Sequence, residues 1–170
     1  MEIFKYILPA FIVMMTAYLL FDKMLSSEER KRKHELIRKN RDHIVPARLR
    51  AYERLLLLLE RTDPKSMVIK VIKSEMSCMD LHSQLLQFVR MEFEHNVTQQ
   101  IYISDDLWRA IQQTREHLIK LINTTAAHVK PDENANKLAE KIIRIYAEET
   151  DNPTQITINL LKTEIRNQFF

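Results

Sequence analysis

Residues 90–103 read RMEFEHNVTQQIYI, and this stretch decides the fold class because its apolar residues recur at helical spacing. The apolar positions are Met91, Phe93, Val97 and Ile101. Polar side chains lie among them, and these are Glu92, Glu94, His95, Asn96, Gln99 and Gln100. The stretch therefore predicts a long helix that carries either half of a metal site or a polar seam inside a helical bundle.

The sequence contains no glycine among its 170 residues, whereas average usage is about 7%, or roughly a dozen residues. Glycine is the usual residue where φ must be positive, as in tight hairpins and phosphate-binding loops. Its absence excludes a P-loop and a glycine-rich dinucleotide loop, disfavours a sheet of hairpins and predicts an all-α protein. The single cysteine, Cys78, excludes an internal disulfide framework and a zinc site of CxxC spacing.

The amino-terminal residues predict a membrane anchor. Residues 6–21, YILPAFIVMMTAYLLF, contain no charge, and with Ile3 and Phe4 they reach the short end of a membrane-spanning length. No small-x-small cleavage site follows, so a transmembrane anchor over residues 1–22 is favoured over a cleaved signal peptide or a buried soluble helix. One Lys or Arg precedes the run and eight lie in residues 23–41, so we expect the amino terminus outside and the carboxyl-terminal domain in the cytoplasm.

Basic residues predict a charged stalk next to this anchor. Residues 22–54 hold eleven Lys/Arg against six Asp/Glu, whereas residues 55–170 hold fourteen against sixteen. Residues 23–45 are therefore predicted as a basic juxtamembrane helical stalk that lies on anionic lipid or projects from it. The residues expected to meet lipid are Arg30, Lys31, Arg32, Lys33, Arg38, Lys39 and Arg41. Nucleic-acid binding is disfavoured, because the main domain is slightly acidic and lacks a basic stripe with interleaved aromatic residues.

Residues 46–170 are predicted to form a cytoplasmic bundle of about five helices, joined by short connections that begin at capping residues. The predicted helical segments are 46–62, 64–74, 79–103, 105–128, 131–149 and 153–170. Five consecutive leucines at 55–59 cover every face of the first segment. Such a helix is buried centrally, or is buried on one side and meets a partner on the other. The last segment closes the bundle, or its terminal Phe169-Phe170 docks on a partner or the membrane interface.

The stretches AYERLLLLLER, EFEHNVTQQIY and LLKTEIRNQFF resemble an uncharacterised family of small bacterial single-pass membrane proteins. The most distinctive part is the EFEHN-x-x-QQIY segment. The resemblance implies a bacterial inner-membrane location and a cytoplasmic helical domain after one membrane helix. It implies no catalytic residue and no cofactor.

A helical wheel of residues 79–103 places four polar residues inside the apolar stripe, where they need hydrogen-bonding or ionic partners. They are Glu92, Asn96, Gln99 and Gln100. Arg115 interrupts the apolar stripe of the next helix in the same way. If the two helices fold back around Ser104, Glu92 faces Arg115, Asn96 faces Gln112, and Gln99 or Gln100 lies near the Trp108 indole. The predicted seam, which would fix the register of this hairpin, consists of Glu92, Asn96, Gln99, Gln100, Trp108, Gln112 and Arg115.

These patterns favour a non-enzymatic, membrane-tethered scaffold or accessory subunit of an inner-membrane assembly. Its expected partners are lipids and other membrane or cytoplasmic proteins, including a second copy of the chain. The alternative is a metal-binding enzyme or sensor that uses the E-x-x-H pair Glu92 and His95. A di-iron bundle needs two such motifs and two further carboxylates, so that site would have to be completed in a homodimer. A third hypothesis is a lipid- or nucleic-acid-surface protein working through residues 23–54.

Overall fold

A computed structural model of the chain describes residues 14–16, 18, 21–24, 44–150 and 152–169. The chain divides into two compact units, Met1–Pro46 and Ala47–Phe170. In the first unit the described residues are helical. Most of the predicted anchor, most of the predicted stalk and all seven predicted lipid-facing residues lie outside the described residues.

No helix within the described ranges is both long enough and apolar enough to cross a membrane.

All regular secondary structure in the described part of the second unit is helical, so the all-α fold class is confirmed for the described residues. An isolated antiparallel bridge joins Ser77 to Asn134, and the described part contains no strand. In the second unit, helix α1 covers residues 47–62. The later elements are α2 (Pro64–Val71), α3 (Cys78–Asn96), a 3₁₀ helix (Val97–Tyr102), α4 (Asp105–Ala126), α5 (Ala135–Glu148) and α6 (Pro153–Phe169).

Capping side chains begin the helices where the sequence predicts them. Asp63 accepts a hydrogen bond from the Lys65 amide with Pro64 at the first helical position. Ser104 accepts one from the amide of Leu107, and Asn152 Oδ1 accepts from the amides of Thr154 and Gln155 in the first turn of α6. Each such bond satisfies a donor that the first turn of a helix leaves free.

Three predicted boundaries are wrong, and the first is the end of α2, which is Val71 rather than residue 74. The predicted long helix 79–103 ends as an α-helix at Asn96, whose side-chain amide donates to the Glu92 carbonyl at 2.8 Å. Beyond it, hydrogen bonds of the 3₁₀ type take over. Helix α5 begins at Ala135, with Asn134 as its cap, rather than at residue 131. The described part of the second unit holds six α-helices, one for each of the six predicted segments of the bundle, and one 3₁₀ helix that was not predicted.

Helices α3 and α4 form the centre of the unit. Helix α3 packs against α2, α4 and α5, and α4 packs against α3, α5 and α6. Leu81, Leu85 and Val89 on α3 are fully buried with Leu107 and Ile111 on α4. The core therefore follows the apolar stripes of α3 and α4.

Candidate functional site

Helix α1 is buried on one side only. Leu55, Leu58 and Leu59 are fully buried, whereas Leu56 is half-buried and Leu57 is 59% exposed. Successive helical residues point about 100° apart, so a run of five leucines has to place at least one on the outside. Of the two arrangements open for this helix, the structure has the one in which a face remains available to a partner.

A groove of about 670 Å³ lies between α1 and α3. Its apolar wall carries Leu57 and, from α3, Met91, which is 44% exposed. We call it the α1–α3 groove, and its lining residues are Arg54, Leu57, Leu58, Arg61, Phe88, Met91, Glu92, His95 and Asn96. It combines exposed apolar side chains with charged groups at its edge, which is typical of protein-interaction surfaces.

An ion pair joins the two helices at this groove. Arg61 places a guanidinium nitrogen 2.6 Å from Oε1 of Glu92. The Arg61 side chain is 50% exposed and that of Glu92 is 11% exposed. Because Glu92 is the desolvated partner, its carboxylate depends on this contact more than Arg61 does.

Glu92 is buried, and its ion-pair partner differs from the predicted one. Its ion-pair partner in the described structure is Arg61 of α1, and Arg115 has a buried Nε without a hydrogen-bond partner there. The 3₁₀ helix explains the difference. Six residues of 3₁₀ helix are about 3 Å longer than six of α-helix and turn about 120° further, which changes the register and phase between α3 and α4.

The structure does not bring the rest of the predicted seam together as a ladder. Asn96 bonds within its own helix, and Gln112, its predicted partner, is exposed. Gln99 is buried as predicted, but its amide donates to Thr98 Oγ1 at 3.3 Å. Gln100 is exposed and Trp108 is half-buried.

Glu92 and His95, the metal-site candidates, both line the α1–α3 groove. His95 is exposed and Glu92 is held by Arg61, a cation that competes with a metal for the same carboxylate. Within the described residues there is no group of three or more His, Cys, Asp or Glu that could hold a metal ion.

A second polar cluster lies where α1, α4 and α6 meet, and the sequence analysis missed it. Glu164 of α6 accepts hydrogen bonds from the Tyr52 hydroxyl at 2.7 Å and the Ser104 amide at 3.0 Å, and its second oxygen binds the Ser104 hydroxyl. Phe169 packs edge-on against the Tyr52 ring, with centroids 6.2 Å apart. The end of α6 therefore packs on α1. Desolvation by burial, and then the Glu164 carboxylate, raise the pKa of Tyr52 to about 12.

Residues 1–168 match the model of a protein family described as "Family of unknown function (DUF7935)". This agrees with the resemblance of the sequence to an uncharacterised family. No curated protein and no solved structure matches the chain.

Proposed function

Because the chain belongs to this family of unknown function, we propose a function from its own residues: a membrane-tethered, non-enzymatic scaffold or accessory subunit of an inner-membrane assembly. In this proposal an amino-terminal anchor holds the helical unit at the cytoplasmic face. The α1–α3 groove and the adjoining outer face of α1 then bind a protein partner.

The tether is supported by the sequence of the first unit. The uncharged run at residues 6–21 is followed by the eight Lys/Arg of residues 23–41, an order that favours a cytoplasmic carboxyl-terminal side. Those cations are also suited to anionic lipid head groups.

The observation that carries the docking proposal is the exposure of Leu57 beside the α1–α3 groove. A leucine at 59% exposure next to Met91 at 44% leaves apolar surface in water on both sides of one groove. A partner that covers this surface gains the hydrophobic free energy of its burial. Arg54 and Arg61 at the same groove favour a partner that supplies carboxylates.

The tether is tested by alkaline extraction of native membranes that contain the full chain. We expect the full chain to remain with the membranes, and a chain without residues 1–22 to be released. Release of the full chain by alkali would contradict the tether.

Docking is tested by mild-detergent purification from native membranes, comparing Leu57→Glu with Ile69→Glu. Ile69 lies on α2, is 74% exposed and does not line the groove, so it is the matched control. We expect co-purifying protein, including differently tagged copies of the chain, to be lost with Leu57→Glu and kept with Ile69→Glu. Equal recovery of partners by both variants would contradict the proposal. Stoichiometric iron, manganese or zinc that disappears with Glu92→Ala would favour the metal-binding alternative instead.

A further inference from the structure

We propose that the outer face of α1 binds the same face of a second copy of the chain, with the two α1 helices parallel. This inference rests on the proposed function, since it identifies the partner of the surface around Leu57. It is carried by the order of charges on that surface.

The dipeptide Glu-Arg occurs twice on α1, at 53–54 and at 60–61, on either side of Leu57. All four charged residues are exposed. At about 100° per residue, with Leu57 at 0°, Glu53 and Glu60 fall near −40° and −60°, whereas Arg54 and Arg61 fall near +60° and +40°. The outer face of α1 therefore has an acidic edge, a leucine at its centre and a basic edge.

These charges are available to a partner. Within the described structure, Glu53, Arg54 and Glu60 form no ion pair. Arg61 is bound to Glu92 but keeps half of its side chain exposed, so its guanidinium has donors for a second carboxylate.

The charge order distinguishes parallel from antiparallel pairing. In a parallel pair, the two-fold axis runs along the helices, so the acidic edge of each copy lies beside the basic edge of the other. Along the helix axis, Glu53 then lies at nearly the same height as Arg54 of the second copy. Glu60 likewise lies at nearly the same height as Arg61 of the second copy. In an antiparallel pair centred on Leu57, equal edges meet, so that Glu53 faces Glu60 and Arg54 faces Arg61. Parallel pairing thus gives four opposite-charge contacts where antiparallel pairing gives four repulsive ones.

One residue opposes this arrangement. Arg50 lies seven residues before Leu57, on the same face, and is exposed. In a parallel pair it therefore approaches Arg50 of the second copy, which has the same charge. A single charged residue at such a position lowers stability but is tolerated in helix pairs. Two chains tethered in one membrane in the same orientation also meet at a raised effective concentration, which compensates for a small contact area.

The first experiment is disulfide crosslinking, in membranes, of full-length variants that each carry one added cysteine. The native thiol of Cys78 is buried, so the unsubstituted chain gives the background. Parallel pairing predicts crosslinked dimers for both Leu57→Cys and Arg50→Cys, and none for Ile69→Cys. Dimers with Leu57→Cys alone indicate antiparallel pairing and would overturn the proposal. So would the absence of dimers at both positions.

The second experiment measures the crosslinking rate of Leu57→Cys in charge variants. Since Glu53→Arg turns two attractions into repulsions, and Arg54→Glu does the same, each should slow crosslinking by about tenfold. The double variant, which exchanges the two charges, should recover the original rate. A faster rate with Glu53→Arg would contradict parallel pairing, because that substitution relieves the Glu53–Glu60 repulsion of an antiparallel pair.

The two proposals fail in different ways. If Leu57→Glu abolishes binding of another protein while Leu57→Cys never crosslinks to itself, the second-copy inference is wrong and the docking surface remains. If neither effect is seen, the docking surface itself is wrong.

Discussion

Arg61 and Glu92 form an ion pair of 2.6 Å that joins α1 to α3 at the edge of the groove. The contact serves two purposes in the proposed account. It satisfies a carboxylate that the fold takes out of water, and it holds Arg61 on the outer face of α1.

We expect Arg61→Ala to lower the free energy of unfolding by about 1–2 kcal/mol, because it leaves the desolvated Glu92 without its cation while half of the Arg61 side chain is already solvated. A double-mutant cycle with Glu92→Gln, measured by urea unfolding, should give a clear coupling between positions 61 and 92. The same cycle between positions 92 and 115 should give almost none. A larger coupling of Glu92 to Arg115 than to Arg61 would contradict the Arg61–Glu92 pairing.

Substitution of Glu164 should lower the stability of the protein, because its carboxylate accepts hydrogen bonds from both α1 and the start of α4. We expect Glu164→Ala to destabilise the protein by about 1.5–3 kcal/mol, the range for hydrogen bonds to a charged group. Glu148 is exposed at the end of α5, and Glu148→Ala should change stability by less than about 0.5 kcal/mol. Equal effects of the two substitutions in thermal unfolding would argue against the Glu164 cluster.

The Tyr52 hydroxyl should make stability sensitive to alkali. Its pKa is raised from 10.0 to about 12 in the folded protein, first by burial and then by Glu164. A raised pKa means that the fold favours the protonated hydroxyl, so this stabilisation is complete below pH 10 and is lost as pH rises towards 12. Between these values the free energy of unfolding should fall more steeply for the natural chain than for Tyr52→Phe. Parallel pH curves for the two proteins in urea unfolding would contradict this.

Glu75 takes the positive φ of 64° that a glycine would usually supply, in the connection between α2 and α3. We expect Glu75→Gly to raise stability by about 0.5–1 kcal/mol, since relief of the left-handed strain exceeds the entropy cost of glycine. Lys73→Gly, in the same connection, should lower stability. Destabilisation by both variants in thermal unfolding would show that Glu75 is not strained.

The sequence predicted the fold class and several helix starts, because these features depend on residues that are close together in the chain. The absence of glycine and the helical spacing predicted an all-α protein, and Asp63, Ser104 and Asn152 predicted helix starts, because a cap binds amides within the next turn. The burial of Glu92 followed from its phase on α3.

The partners could not be predicted in the same way, because they depend on how distant elements pack. The side-chain pattern at residues 97–102 does not distinguish α-helix from 3₁₀ helix, and the 3₁₀ helix changes the register from which the pairing of Glu92 with Arg115 was predicted. Glu164 lies 60 residues from Ser104, so nothing near either residue indicated their contact. The groove likewise depends on which leucine of 55–59 points outward, and this becomes visible only when α1 is packed.

The most direct measurement of the central proposal, that the outer face of α1 is covered by a partner, is the rate at which a maleimide labels Leu57→Cys. The rate is compared between native membranes open to the reagent and the same protein purified and diluted, with Ile69→Cys as the matched exposed position. We predict that labelling at position 57 is severalfold slower in membranes than in the diluted protein, while labelling at position 69 is unchanged. Equal labelling rates at position 57 in the two samples would contradict the proposal.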